Sequence, residues 1–152
     1  MRSTKQILEW LGGLAIIASL LLVAYEIRQN TNALSAQAIF DLNQSFTASL
    51  TLIAADADYS RLFRKGDEDP DSLDDDEWYR YEYAVWADLN NYDSAYAFYA
   101  KGILSADELN VFMSSYCVEI QKPGYEKFLS INADIHIGGF QAYADGFCNS
   151  DI

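Results

Sequence analysis

The chain contains few of the residues that build metal centres or nucleophilic sites. Among 152 residues there are one histidine, His136, and two cysteines, Cys117 and Cys148. Zinc sites draw on several His or Cys ligands, and the Glu-x-x-His helical motif of di-iron proteins is absent. No nucleophile elbow, papain-like context or glycine-rich phosphate loop is present either. We therefore expect neither enzymatic activity nor a cofactor.

Basic residues are scarce as well. The sequence has 10 Lys and Arg against 23 Asp and Glu, a net charge of -13. Proteins that bind nucleic acids need a basic patch to contact the phosphates, so nucleic acid is not an expected partner.

The densest acidic stretch, residues 67–77, carries 8 acidic side chains in 11 and suggests a calcium loop. An EF-hand loop that began at Asp67 would need Gly at its sixth position and Glu at its twelfth, where this chain has Ser72 and Trp78. A solvated loop with favourable charge at a helix start is the preferred interpretation, and a loose surface calcium site is the alternative.

Charge is missing from the centre of one long apolar run, Ile7 to Ile27, in which only Glu9 and Glu26 are charged. A helix of this length rises roughly 31 Å, about the thickness of a bilayer's hydrocarbon core. Trp10 and Tyr25 flank the uncharged centre, as aromatic residues do at membrane interfaces. We expect a transmembrane helix over residues 7–27 in contact with the lipid bilayer. A cleavable signal peptide is the alternative, but its small-residue site would lie too far beyond the run.

Small residues line one face of this helix, at Gly12, Ala15 and Ser19. In lipid, such a face lets the backbone of another helix approach closely. A generic anchor is the alternative, since Gly and Ala are common in membrane helices. We expect this face to pack against subunits of an integral membrane protein complex.

The flanking charges predict the orientation. Arg2 and Lys5 precede the span, Arg28 follows it, and residues 29–152 carry 7 basic against 21 acidic side chains. The positive-inside rule then places residues 1–6 in the cytoplasm and residues 28–152 outside it.

The cysteines fit an external domain. In an oxidising compartment Cys117 and Cys148 can form one disulfide. Two buried thiols in a cytosolic domain are the alternative.

Residues 28–152 are enough for one compact domain. They contain only two prolines, and they show neither an internal repeat nor the alternating pattern of a strand. Helical periodicity predicts an all-α fold: a transmembrane helix that continues into a helical stalk, then a small helical bundle. The expected elements are a stalk to about Ala57 with a bend at residues 30–32, a helix 58–65 closed by Gly66, a long helix from Trp78 to Tyr99, one that opens at Ser105 and ends at Pro123-Gly124, and shorter helices at 125–131 and 140–147.

Two segments have the spacing of a helix-opening capping box, in which a side chain at the start and a carboxylate three residues later bond each other's backbone. They are Ser72 with Asp75 and Ser105 with Glu108.

Aromatic residues are abundant, with 11 Tyr, 8 Phe and 3 Trp. The long helix carries more of them than one face can hold. Ordinary core packing explains many, whereas Tyr79, Tyr83 and Trp86 lie on another face and are candidates for a protein interface.

The sequence also resembles a widespread group of uncharacterised single-pass bacterial membrane proteins. The resemblance covers most of the chain to about Tyr125, and the last 25 residues look particular to this sequence. It is carried by the basic start with Trp10 and the apolar span, and by the segments Ile27-Arg28-Gln29-Asn30-Thr31, Tyr59 to Gly66, Asp69-Pro70-Asp71-Ser72-Leu73, and Tyr92 through Gly102 into Leu104. The resemblance implies a single-pass bacterial membrane protein and is silent about function, since its members have no activity that can be carried over. Together with the flanking charges, it leads us to expect the bacterial inner membrane with a periplasmic domain.

Two functional hypotheses follow. The first is a non-enzymatic accessory subunit of a larger membrane complex, for example a respiratory or photosynthetic assembly. The alternative is a self-contained tethered binding or sensor domain, whose acidic surface recruits a basic soluble periplasmic partner.

Overall fold

The computed structural model of the protein describes residues 2–149; Met1 and residues 150–152, which belong to the predicted first and last segments, lie outside the described range. The predicted all-α fold is confirmed, since 85% of the chain is helical and no strand occurs in the described residues. The helices are α1 (Arg2–Ala55), α2 (Ala57–Glu68), α3 (Asp75–Ala100), α4 (Ala106–Glu119), α5 (Pro123–Ile131) and α6 (Phe140–Cys148), with a short 3₁₀ helix at Pro70–Ser72.

The chain divides into two compact units, residues 1–37 and residues 38–152. The first unit is the N-terminal part of α1. Every described side chain between Leu8 and Ile27 is exposed in it, and α1 is the helix of the described residues that is long and apolar enough to be a candidate membrane span.

The predicted bend residues Asn30, Thr31 and Asn32 all lie within α1, so the helix is not interrupted there. The hydroxyl of Thr31 donates to the carbonyl oxygen of Ile27 at 3.0 Å, which occupies this polar side chain within the helix. α1 ends at Ala55, two residues before the predicted end, because Asp56 is extended and its carboxylate accepts hydrogen bonds from the first backbone amides of α2.

The prediction that Gly66 closes the second helix at Lys65 is wrong, because α2 runs through Gly66 to Glu68. This glycine serves close packing. A Cβ atom at Gly66 would lie 2.3 Å from Cδ2 of the buried Tyr81 ring. Gly124 of α5 is equally tight, since its Cβ would lie 2.1 Å from the Tyr81 hydroxyl and 2.4 Å from the Gly66 carbonyl oxygen.

The predicted capping box at Ser72 and Asp75 is also wrong. α3 opens two residues later in register, with Asp74 as the N-cap and Glu77 as its partner: the Asp74 carboxylate accepts from the Glu77 amide at 2.8 Å, and the Glu77 carboxylate accepts from the Asp74 amide at 3.1 Å. Ser72 instead belongs to the 3₁₀ helix, where its hydroxyl donates to the Asp69 carbonyl oxygen. The box has the predicted spacing of three residues but begins at Asp74 instead of Ser72.

The second capping box, Ser105 with Glu108, is confirmed at the start of α4. Pro123 follows α4 as expected and also opens α5, a position at which its missing amide hydrogen costs nothing. Gly139 precedes α6 with a φ of 89°, a left-handed conformation that favours glycine.

The core of the second unit forms mainly around α3. Its largest fully buried side chains are Tyr81, Tyr116, Tyr125, Phe128, Phe140, Leu89, Leu109, Met113 and Val85. From α1, Ala38 and Leu42 are buried in the same cluster. Phe46 follows one turn later and contacts the rings of Tyr92 and Phe112, with ring centroids 5.1 and 5.6 Å away.

Candidate functional site

A groove of about 710 Å³ opens in the second unit between the last turns of α1 and helices α2, α3 and α4. Its apolar walls are formed by Phe46, Ile53, Phe63, Tyr92 and Phe112. After Phe46, α1 buries no side chain, and Ser49 and Ile53 are only half-buried. This volume lies within the range of small-molecule sites in proteins, roughly 300 to 1,000 Å³.

Small side chains keep the groove open. Ala84 and Ala87 of α3, Ser49 of α1 and Ser115 of α4 all line it.

Charged groups lie at the base of the groove around Lys122. The Lys122 ammonium is 2.9 Å from the Asp67 carboxylate, and it also bonds the Glu119 carboxylate. Asp67 accepts a second hydrogen bond, at 2.7 Å, from the Tyr81 hydroxyl. Burial opposes the charge of Lys122, but the hydrogen bonds to Glu119 and Asp67 prevail and raise its pKa.

Asp88 lines the same groove with a different environment. Its carboxylate accepts a hydrogen bond from the Tyr125 hydroxyl at 2.8 Å, and no salt bridge between described residues includes it. Burial raises the pKa of Asp88; the Tyr125 hydrogen bond opposes this shift and the negative charge of Glu119 adds to it. The groove therefore has three carboxylates and one ammonium group at its base.

A second polar cluster joins α3, α4 and the connection between α5 and α6. His136 Nδ1 lies 3.0 Å from the Asp93 carboxylate, and its Nε2 lies 3.3 Å from the Tyr116 hydroxyl. The His136 ring also packs on Phe140, with centroids 4.4 Å apart. The side chains of His136 and Asp93 are 3% and 8% exposed, so no substrate reaches them in this conformation. We interpret the cluster as a structural network that holds the α5–α6 connection in place.

The three aromatic residues predicted as an interface lie together on the surface of α3. Tyr79, Tyr83 and Trp86 are 59%, 50% and 44% exposed. Their ring centroids are 4.8 Å apart for Tyr79 and Tyr83 and 5.9 Å apart for Tyr83 and Trp86. Trp86 also lines a shallow depression with Ile131 and Ile135. We call these five side chains the aromatic patch.

The residues predicted to pack in the membrane are exposed in α1. A Cβ atom at Gly12 would meet no other atom within 4 Å. The Ser19 hydroxyl donates to the Ala15 carbonyl oxygen at 2.9 Å, so its polar group is satisfied within the helix.

The two cysteines are joined by a disulfide. Cys117 near the end of α4 and Cys148 at the end of α6 have Cα atoms 5.5 Å apart. The bond attaches the last helix of the described chain to the core.

The acidic side chains of the stretch 67–77 make separate contacts and do not form one cluster. Asp67 faces the groove, Asp74 caps α3, Asp71 pairs with Lys127 at 2.8 Å, and Glu77 pairs with Lys65 at 2.5 Å. Among the described residues, no three His, Cys, Asp or Glu side chains are placed so that they could hold a metal ion.

The groove was not predicted from the sequence, although one signal was present. Asp88 falls between Val85, Leu89 and Tyr92 in the core stripe of α3, where a carboxylate is unexpected. Glu119 and Lys122 give no such signal, because they belong to a helix end and its loop.

No protein-family model matches this chain, and the comparisons with curated proteins and with solved structures find no match either.

Proposed function

We propose that the protein is a non-enzymatic accessory subunit of a larger integral membrane complex, anchored by the N-terminal part of α1. One observation carries the proposal: between Leu8 and Ile27 every side chain is exposed, and most of them are apolar. A surface of this kind needs lipid or other membrane helices to cover it. The Gly12, Ala15 and Ser19 face offers a smooth contact for a partner helix.

The proposed location is the bacterial inner membrane, with the N-terminus in the cytoplasm and the acidic second unit in the periplasm. The distribution of basic residues around the span supports this orientation. The Cys117–Cys148 disulfide supports it too, since such bonds persist in oxidising compartments. The host complex would be a respiratory or photosynthetic assembly or another of similar architecture.

The test is purification of the full chain in a mild detergent. Stoichiometric co-migration with a multi-subunit complex supports the accessory role. Gly12→Leu together with Ala15→Leu should preserve membrane insertion but loosen the association, because bulky side chains push helices apart. Gly13→Leu together with Ala24→Leu is the matched control, since it adds the same two side chains on a different side of the helix. Unchanged co-purification of the first variant would count against a packed role for that face.

The aromatic patch favours a second candidate, a tethered binding domain. Tyr and Trp supply rigid contact area at interfaces, and a net charge of -13 favours a basic partner. Under this alternative the purified chain would be a monomer or a homo-oligomer. Tyr83→Ser with Trp86→Ser would then abolish partner capture without changing membrane association.

A further inference from the structure

We propose that the groove between α1, α2, α3 and α4 is a binding site for a small organic amine that carries an apolar body and one positive charge. The inference concerns a different part of the molecule from the membrane anchor and does not rest on the accessory role.

The shape of the groove indicates a ligand of small-molecule size. Helices enclose it on several sides, and its volume of about 710 Å³ suits a compact ligand better than an extended peptide. The aromatic walls at Phe46, Phe63 and Phe112 would cover the apolar body.

The charge at the base selects the sign of the ligand. Lys122 is shared by Asp67 and Glu119, and its charge also acts on Asp88 without forming a salt bridge to it. Among the described residues, the hydrogen bond that Asp88 accepts comes from the neutral Tyr125 hydroxyl. An ammonium group that enters beside Asp88 would give this carboxylate a direct salt-bridge partner and form a charge-assisted hydrogen bond.

Other occupants fit less well. A phosphate or carboxylate would face three carboxylates and one ammonium group, so an anionic lipid headgroup is disfavoured. A second copy of this chain carries the same net charge of -13 and would be repelled. A neutral apolar compound would contact the aromatic walls but leave Asp88 without a salt-bridge partner.

The experiment measures binding to the full chain in phosphatidylcholine nanodiscs by titration calorimetry. The probes are 2-phenylethylamine, which is protonated at neutral pH, 2-phenylethanol as its neutral counterpart, and 3-phenylpropanoate as the anion. We expect saturable binding of the amine, at least tenfold tighter than that of the alcohol, and no binding of the anion.

Two variants and one control locate the site. Asp88→Asn retains an oxygen for the Tyr125 hydroxyl but removes the charge, and it should reduce amine affinity to that of the alcohol. Asp107→Asn makes the same charge change at an exposed position outside the groove and should have no effect. Ala87→Leu fills the groove, leaves all three carboxylates intact and should weaken amine and alcohol alike. Partition of a given probe into the lipid is the same for every protein variant, so it cancels when that probe is compared between variants; titrations of empty nanodiscs correct the comparison between probes.

Several outcomes would overturn the proposal: no saturable amine binding to the wild type, equal affinity for amine and alcohol, or equal loss in Asp107→Asn and Asp88→Asn. Capture of a lysine-rich peptide in place of the amine would also overturn it, in favour of a protein partner. If Asp88→Asn does not fold, unchanged amine binding by Ala87→Leu would still refute the site.

Discussion

At the scale of single residues, Tyr81 organises the contact between α2, α3 and α5. Its ring fills the space left by Gly66 of α2 and Gly124 of α5, and its hydroxyl donates to Asp67. Neither glycine has the positive φ that would make glycine necessary for the backbone alone. Both are required because a methyl group would occupy the position of the tyrosine.

Gly66→Ala should therefore destabilise the second unit by about 1 to 3 kcal/mol, the usual cost of overpacking a core. The added Cβ atom would lie 2.3 Å from the Tyr81 ring, which is enclosed and cannot move aside freely. Chemical denaturation of the full chain in detergent would measure the change. Gly146→Ala is the control, because its Cβ meets nothing within 4 Å in helix α6; its stability should be unchanged or higher by up to about 1 kcal/mol. Equal effects of the two substitutions would contradict the packing argument.

The raised pKa of Asp88 predicts how the stability of the folded chain depends on pH. Burial makes its ionised form less favourable in the folded chain than in the unfolded chain. Its contribution to stability is thus fully present below the unfolded pKa and is lost as the pH rises through the folded pKa. The charged groups that bear on it are Glu119, Lys122 and Asp67.

Asp88→Asn should consequently raise the thermal midpoint at pH 7, and the gain should shrink as the pH is lowered toward about 4, where an unfolded Asp is itself half protonated. Thermal melts of variant and wild type in matched buffers measure the difference, and Asp107→Asn controls for net charge. A midpoint that falls at pH 7, or a gain that grows on acidification, would show that the Asp88 charge stabilises the fold.

At the scale of helices and their ends, local chemistry was readable from the sequence and tertiary contacts were not. The capping box at Ser105 and Glu108 involves atoms three residues apart, so spacing alone predicts it. At α3 the predicted box at Ser72 and Asp75 does not form, because Asp74 is the extended residue that caps the helix and pairs with Glu77. Gly66 was misread because its role depends on Tyr81, 15 positions away in the sequence.

The groove is the clearest case of a feature beyond sequence reasoning. It depends on side chains from five helices, including Tyr125 of α5, and on small residues whose positions are visible only once the helices are placed. Asp88 could have drawn attention as a carboxylate in an apolar stripe, but nothing in the sequence indicates that Glu119 and Lys122 lie beside it.

The attachment of α6 to the core can be tested directly, because a single covalent bond contributes to it. It is held by the Cys117–Cys148 bond and by apolar contacts such as Phe140 in the core. In the chain-entropy model a bond across a sequence separation of 31 contributes about 3 to 4 kcal/mol, less any strain. Replacing both cysteines by Ala should lower the thermal midpoint of the second unit and increase hydrogen exchange in α6 first, with membrane association unchanged. Exchange that rises equally in α2 would indicate a global effect.

At the scale of the whole molecule, charge and hydropathy separate along the chain. The apolar part of α1 is followed by residues 29–152, which hold 21 of the 23 acidic side chains. The candidate membrane span and most of the acidic side chains thus lie in different segments. This separation explains why composition alone predicts a candidate span and a separate helical domain, while the proposed partner and ligand are argued from the surfaces of the folded chain.

The orientation of this arrangement gives the last prediction. If Arg2 and Lys5 hold the N-terminus in the cytoplasm, protease added to intact spheroplasts should digest the second unit and leave an N-terminal tag protected. Non-reducing digestion should also yield Cys117 and Cys148 as one linked peptide pair, because the domain would fold in an oxidising compartment.

Exchanging the charges, with Arg2 and Lys5 replaced by Gln and Asn30 and Asn32 by Lys, should invert a fraction of the molecules. In that fraction the domain should resist protease and both thiols should react with alkylating reagents. A wild-type domain that is fully protected while a periplasmic marker is digested, with both thiols free, would place the domain on the cytoplasmic side.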